Sequence, residues 1–211
     1  MRKSVLIGMT AAAVLAGGAL LVQAQGMMGG YGMGGSSANR PVDARWSGSV
    51  LNYGQAATYI EEGDQSGSVD KAANKITYAG NDITINMVAV QPDHDDQTFE
   101  VHGLTNPTLV VPVGATVHLN LLNMDYGNNM EHAVLLTTAT PPYPYMSMMT
   151  AAASFAEVAP LLPWRSEKDV DTARYAMLGT TFVAQQAGTY WYICPTPKHA
   201  EEGMFGKFVV G

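Results

Sequence analysis

A single cysteine, Cys194, among 211 residues rules out an internal disulfide. Charge is scarce as well: Asp, Glu, Lys and Arg make up 14% of the chain, against about 25% in an average domain. What charge there is leans one way, with 11 Lys and Arg against 18 Asp and Glu and a net of −7 at neutral pH. That balance speaks against nucleic acid or an anionic membrane surface as partner, because both attract a basic face. Helical patterns alternating with strands are missing too, which argues against a parallel α/β fold.

What is present begins with a short basic start, Met1-Arg2-Lys3, and an Ala- and Gly-rich apolar run from Val5 to Val22. Val22-Gln23-Ala24 then places small residues where a signal peptidase reads. The pattern predicts a signal peptide over 1–24, cleaved after Ala24, and export to the periplasm. The competing reading is an uncleaved membrane anchor, since the run approaches the ~18–20 apolar residues of a span. Exported proteins usually carry their cysteines in pairs. A lone cysteine in such a chain is a ligand, a nucleophile or a buried bystander.

Residues 25–40 are a Gly-, Met- and Ser-rich tract that cannot bury enough apolar surface to order itself, and they read as a flexible linker. Its Met27, Met28 and Met33 would suit transient binding of cuprous copper, a second reading of the same stretch. Residues 41–211 read as one domain. Trp46 to Glu62 has the pattern of a short amphipathic helix ended near Gly63. Ile76 to Tyr78 and Ile83 to Val90 read as a hairpin around Ala79 to Asp82. Further β-rich runs are Gln97 to Val101, Thr108 to Val111, Ala115 to Leu122, Glu131 to Thr138, Tyr175 to Ala184, Gly188 to Cys194 and Phe205 to Val210. Thr140 to Asp171, punctuated by prolines, reads as one long functional or inserted loop. The expected fold is all-β, a sandwich or barrel with a short helical extension near its start.

The chemistry concentrates between the last two runs. Cys194, His199 and Met204 follow one another at C-x4-H-x4-M. Thiolate, imidazole and thioether from one loop are the soft donor set of a mononuclear copper site that lacks one histidine. A buried Cys and a core Met would explain two of these residues without any metal; the coincidence of all three between two strands favours ligands. Four histidines compete for the missing place. His94 lies in an acidic turn, His102 at a strand end, and His118 alternates with apolar residues and so faces outward. His132 begins a strand just after the Asn-rich loop Asn123 to Asn129, where it can reach a loop at the same end of a sandwich. It is the expected fourth ligand.

The stretch from Gly188 to Val210, which contains Tyr-Trp-Tyr-Ile-Cys194-Pro-Thr-Pro-Lys-His199-Ala-Glu-Glu-Gly-Met204-Phe-Gly-Lys, resembles the copper-binding end of the rusticyanins, a family of blue-copper cupredoxins. Thr98 to Val117 and Pro141-Pro142-Tyr143 resemble them as well, and the likeness covers roughly 41–211. Sulfocyanins, archaeal relatives with a similar loop, are a close alternative. The resemblance implies a Greek-key cupredoxin domain with one copper ion held by His132, Cys194, His199 and Met204, cycling between Cu(II) and Cu(I). It implies a monomeric electron carrier rather than an enzyme, with redox proteins such as a c-type cytochrome and a terminal oxidase as partners. A membrane is involved only if the N-terminal segment is retained. Three positions depart from the pattern: Pro195 stands where a polar residue is usual, Lys198 where glycine is usual, and Ala133 where serine is expected. Glu131 adds a carboxylate beside His132 in sequence, and the chain is acidic where rusticyanins are basic. A two-copper oxidase centre would need two loop cysteines, and a multicopper oxidase further histidine clusters. A cysteine hydrolase would leave Met204 without a role. The alternatives left open are a copper carrier or assembly protein, and a cupredoxin subunit that stabilises an oxidase complex.

Overall fold

Alternation at period two organises the centre of the molecule. In β8 (Thr116–Asn123) Val117, Leu119 and Leu121 are buried, while Thr116, His118 and Asn120 are partly exposed. In β4 (Asp82–Ala89) Ile83, Ile85 and Met87 point inward in the same way. The two strands run parallel, with Ile83, Ile85 and Met87 in register with Val117, Leu119 and Leu121. One face of the pair is therefore continuously apolar.

The structure, a computed structural model, describes residues 48–127 and 130–211, without the side chains of 151 and 152. The expected signal peptide and Gly/Met-rich linker lie outside the described residues. Among those described, β1 (Ser49–Asn52), β11 (Arg174–Val183), β8, β4, β5 (Phe99–Val101) and β6 (Leu104–Thr105) form one sheet in that order. The second runs β10 (Ser154–Leu161), β9 (His132–Thr137), β12 (Gly188–Ile193), β13 (Phe205–Val210), β7 (Thr108–Val111), β3 (Lys75–Thr77), β2 (Ser68–Asp70). Ile85 and Leu121 from the first sheet meet Leu136, Tyr192 and Phe208 from the second in one core. This is the all-β sandwich that the strand pattern predicts.

One helix, α1 (Tyr53–Gly63), covers the outer face of the first sheet. Asn52 caps it, accepting from Gln55 N–H while the Gln55 side chain accepts from Asn52 N–H. Tyr59 donates its hydroxyl to the Met87 carbonyl at 3.0 Å. Gly63 lets the helix lie close, since a Cβ there would fall 2.8 Å from Asn86 Cβ. Alternation in β4 and β8 stops where the helix sits: Val88 and Leu122 pack with Ala56, Tyr59 and Tyr175 in a second cluster. The helix is shorter than the pattern over 46–62 predicts, because Val50 and Leu51 pair with Ala176 and Tyr175 as a strand.

Two other expectations need correction. The segments before and after the turn at 79–81 do not form a hairpin. Tyr78 N–H bonds to the Val110 carbonyl of the second sheet, and the Asn81 carbonyl accepts from Thr116 in the first, so the chain crosses between layers. The stretch 140–171 is not one loop. It contains a 3-10 helix, Ser147–Ala153, and then β10, which pairs antiparallel with β9. Pro160 is tolerated because β10 is an edge strand and its register shifts between Val158 and Leu161.

Candidate metal centre

Strand ends converge at one pole of the sandwich. β9 opens with His132, and β12 ends one residue before Cys194. β13 opens one residue after Met204, and Ile193 pairs with Phe205 across the loop's base. Backbone hydrogen bonds close the loop on itself: Cys194 N–H to the Met204 carbonyl at 3.0 Å, and Met204 N–H to that of His199 at 2.9 Å. Pro195 and Pro197 fix φ at two of its positions. Lys198 has φ 79°, in the left-handed region that favours glycine, and its N–H bonds to the Tyr145 carbonyl at 2.7 Å.

Cys194 Sγ lies 3.5 Å from His199 Nδ1 and 3.8 Å from His132 Nδ1. The three donor atoms all lie within 4.8 Å of one another. His132, Cys194 and Met204 are fully buried and His199 is 4% exposed. Met204 belongs to the same core cluster as Cys194. Burial opposes a thiolate at Cys194, yet hydrogen bonds and charge from His132 and His199 outweigh it and lower its pKa to about 5. Burial likewise opposes a charged His132, but Asp125 and the Cys194 sulfur raise its pKa to about 9. A buried thiolate facing two imidazole nitrogens is a donor set that a soft or borderline cation completes by displacing protons.

The structure brings together His132, Cys194 and His199, and places Met204 at the end of the same loop. It keeps the remaining histidines away. His94 Nδ1 pairs with Glu100 at 2.7 Å, His118 with Asp82 at 2.9 Å, and His102 packs edge-on to Tyr78. The Glu131 backbone carbonyl accepts from Thr196 Oγ1, and a different carboxylate meets the His132 ring. It is Asp125, 2% exposed, whose Oδ2 lies 2.7 Å from His132 Nε2. This contact holds the far ring nitrogen and leaves Nδ1 turned toward Cys194. Sequence reading missed Asp125, because a lone Asp in an Asn- and Gly-rich loop looks like any solvated turn residue. It also missed Ser147, fully buried, which donates to the Cys194 carbonyl at 3.1 Å.

No family model matches the chain. Rusticyanin of Acidithiobacillus ferrooxidans is 32% identical over 179 residues, which cover 85% of this chain and 86% of the relative. Rusticyanin of Acidithiobacillus ferridurans matches over the same span with the same identity. The solved structure of reduced rusticyanin superposes with a TM-score of 0.68 at 30% identity, covering 78% of this chain and all of that one.

Proposed function

Because the chain belongs to the rusticyanin family of blue copper electron-transfer proteins, we propose that His132, Cys194, His199 and Met204 hold its one copper ion, and that it exchanges single electrons with redox proteins in the periplasm. The observation that carries the ligand assignment is the buried cluster of His132, Cys194 and His199 at the pole where the strands meet. Met204 completes it as a thioether from the same loop.

When bound, copper accepts and gives up one electron. The chain does the rest. Cys194 supplies a single negative charge, so the oxidised centre carries net +1 and the reduced one is neutral. The buried apolar cluster that Cys194 and Met204 share with Tyr192 and Phe208 is a low-dielectric surrounding and therefore favours the reduced state. His132 is held by Asp125 through the ring nitrogen that faces away from the sulfur. The loop's backbone bonds and its two prolines limit rearrangement between oxidation states. Export through the N-terminal segment would bring the protein to partners such as a c-type cytochrome and a terminal oxidase.

Stopped-flow mixing of the copper-loaded protein with a c-type cytochrome tests this reading. A shuttle exchanges electrons in both directions and retains its copper. Slow or absent exchange, with ready loss of copper to a chelator or an apo-acceptor, would replace it with a copper carrier. N-terminal mass analysis of protein from its native cell should find Gln25 first, and detection of residues 1–20 would overturn the cleaved export signal.

A further inference from the structure

Both oxygens of the buried Asp125 carboxylate are engaged. Oδ2 meets His132 Nε2, and Oδ1 accepts from Tyr126 N–H at 2.7 Å. The segment bearing it is gripped from two sides. Asn123, fully buried, accepts Asp125 N–H on Oδ1 at 3.0 Å and donates Nδ2 to the carbonyls of Met130 and Leu161. Arg165, 9% exposed, donates Nε to the Met124 carbonyl at 2.8 Å and Nη1 to those of Ser166 and Glu167. Its guanidinium lies 4.9 Å from the centre of the Tyr126 ring. The chain that follows β10 thus holds Met124 and Tyr126, the residues on either side of Asp125, and Asp125 in turn meets His132. Arg165 gives its charge-assisted hydrogen bonds to main-chain carbonyls, one of them that of Met124, the residue before the buried Asp125.

We propose that Asp125, oriented by Arg165, is the positioning residue that sets how strongly the centre favours Cu(II) over Cu(I). The inference rests on His132 being a copper ligand. A carboxylate holding Nε2–H selects one ring tautomer and makes Nδ1 a stronger donor. It also changes the charge count. With Cys194 and Asp125 together, the oxidised centre is neutral and the reduced one carries net −1. The Asp125 charge therefore opposes the bias toward Cu(I) that burial of the thiolate alone would give.

Asp125→Asn keeps the shape and an acceptor oxygen but removes the charge. Cu(II) and Cu(I) are titrated separately against competing chelators at neutral pH. The expected result is a loss of Cu(II) affinity of about 10–100-fold, with Cu(I) affinity nearly unchanged. At 59 mV per tenfold for one electron, the potential then rises by about 60–120 mV. In the diamagnetic Cu(I) protein the His132 Nε2–H proton resonance should move upfield, a readout independent of redox cycling. Arg165→Lys keeps a positive charge but loses the fork to the carbonyls. It should shift the affinity ratio the same way by less, and it carries the test if the Asn variant does not fold. An unchanged Cu(II)/Cu(I) affinity ratio in the variants that fold would overturn the proposal while leaving the ligand assignment intact. A wild-type protein that binds no copper, or whose copper does not cycle, would instead sink the reading of the site itself.

Discussion

Gly206→Ala should damage this protein far more than a methyl group suggests. Gly206 pairs with Tyr192 across β12 and β13, one residue from the base of the metal loop. The Tyr192 ring lies over the glycine, so that a Cβ on residue 206 would come within 2.7 Å of Cε1 and closer still to Cζ and Oη. The ring cannot simply swing aside. It is fully buried, packs edge-on to Phe99 at 5.7 Å between centroids, and donates its hydroxyl to the Pro107 carbonyl at 2.6 Å. Overpacking of this kind costs about 1–3 kcal/mol, and a Pro107 carbonyl left buried without its donor adds about 1–3 kcal/mol. A total of about 2–6 kcal/mol is a large share of the ~5–15 kcal/mol that holds a domain together. For a domain of this size that lowers Tm by about 4–24 °C. Guanidinium denaturation of the metal-free protein measures it. Gly188→Ala, at the far end of the same strand pair, is the control: the three atoms nearest a Cβ there belong to the Tyr190 side chain, at 3.3 Å or more. It should stay within about 0.5 kcal/mol of wild type. If Gly206→Ala is as stable as the control, the account of Tyr192 as a fixed wedge beneath the metal loop is wrong.

Two further outcomes follow from single backbone and side-chain positions. Lys198→Gly relieves a left-handed conformation that costs a non-glycine residue about 1–2 kcal/mol, against the larger entropy that glycine loses on folding. The variant should be as stable as wild type or more so by up to ~1 kcal/mol in urea denaturation; a loss beyond ~1 kcal/mol would show that Lys198 contributes something its φ conceals. Glu100 is buried with Oε2 unpartnered, and burial raises its pKa above 4.5, opposed by His94 and reinforced by Asp95. A carboxyl whose folded pKa exceeds its unfolded one contributes stability that is fully present below the unfolded value and lost as pH rises through the folded one. Glu100→Gln should therefore gain on wild type as pH rises from 4 to 7, and an advantage that does not change with pH would contradict the burial argument.

The parts of the molecule legible in its sequence were those where local chemistry and global placement coincide. β4 and β8 alternate because one face is covered, and the loop from Cys194 to Met204 announces itself because soft donors rarely cluster by accident. That His132 would reach the loop of Cys194 and His199 was legible from its place at a loop-to-strand junction. The crossing between β3 and β4 was not, since a turn at 79–81 looks the same whether the chain returns to its neighbour or passes to the other sheet. β10 was hidden by Pro160, which an edge strand accommodates and a central one would not. Asp125 and Arg165 were hidden for a different reason. They lie 40 residues apart, and only the packing of the segment after β10 against Met124 and Tyr126 turns a loop aspartate into a partner of a buried histidine.

The most direct test of the central claim is the visible absorption spectrum of the protein loaded with one equivalent of Cu(II). A thiolate of Cys194 on copper predicts an intense charge-transfer band, bleached by a one-electron reductant, restored on reoxidation and absent from Cys194→Ser. A colourless copper complex, or a band that survives that substitution, would contradict it.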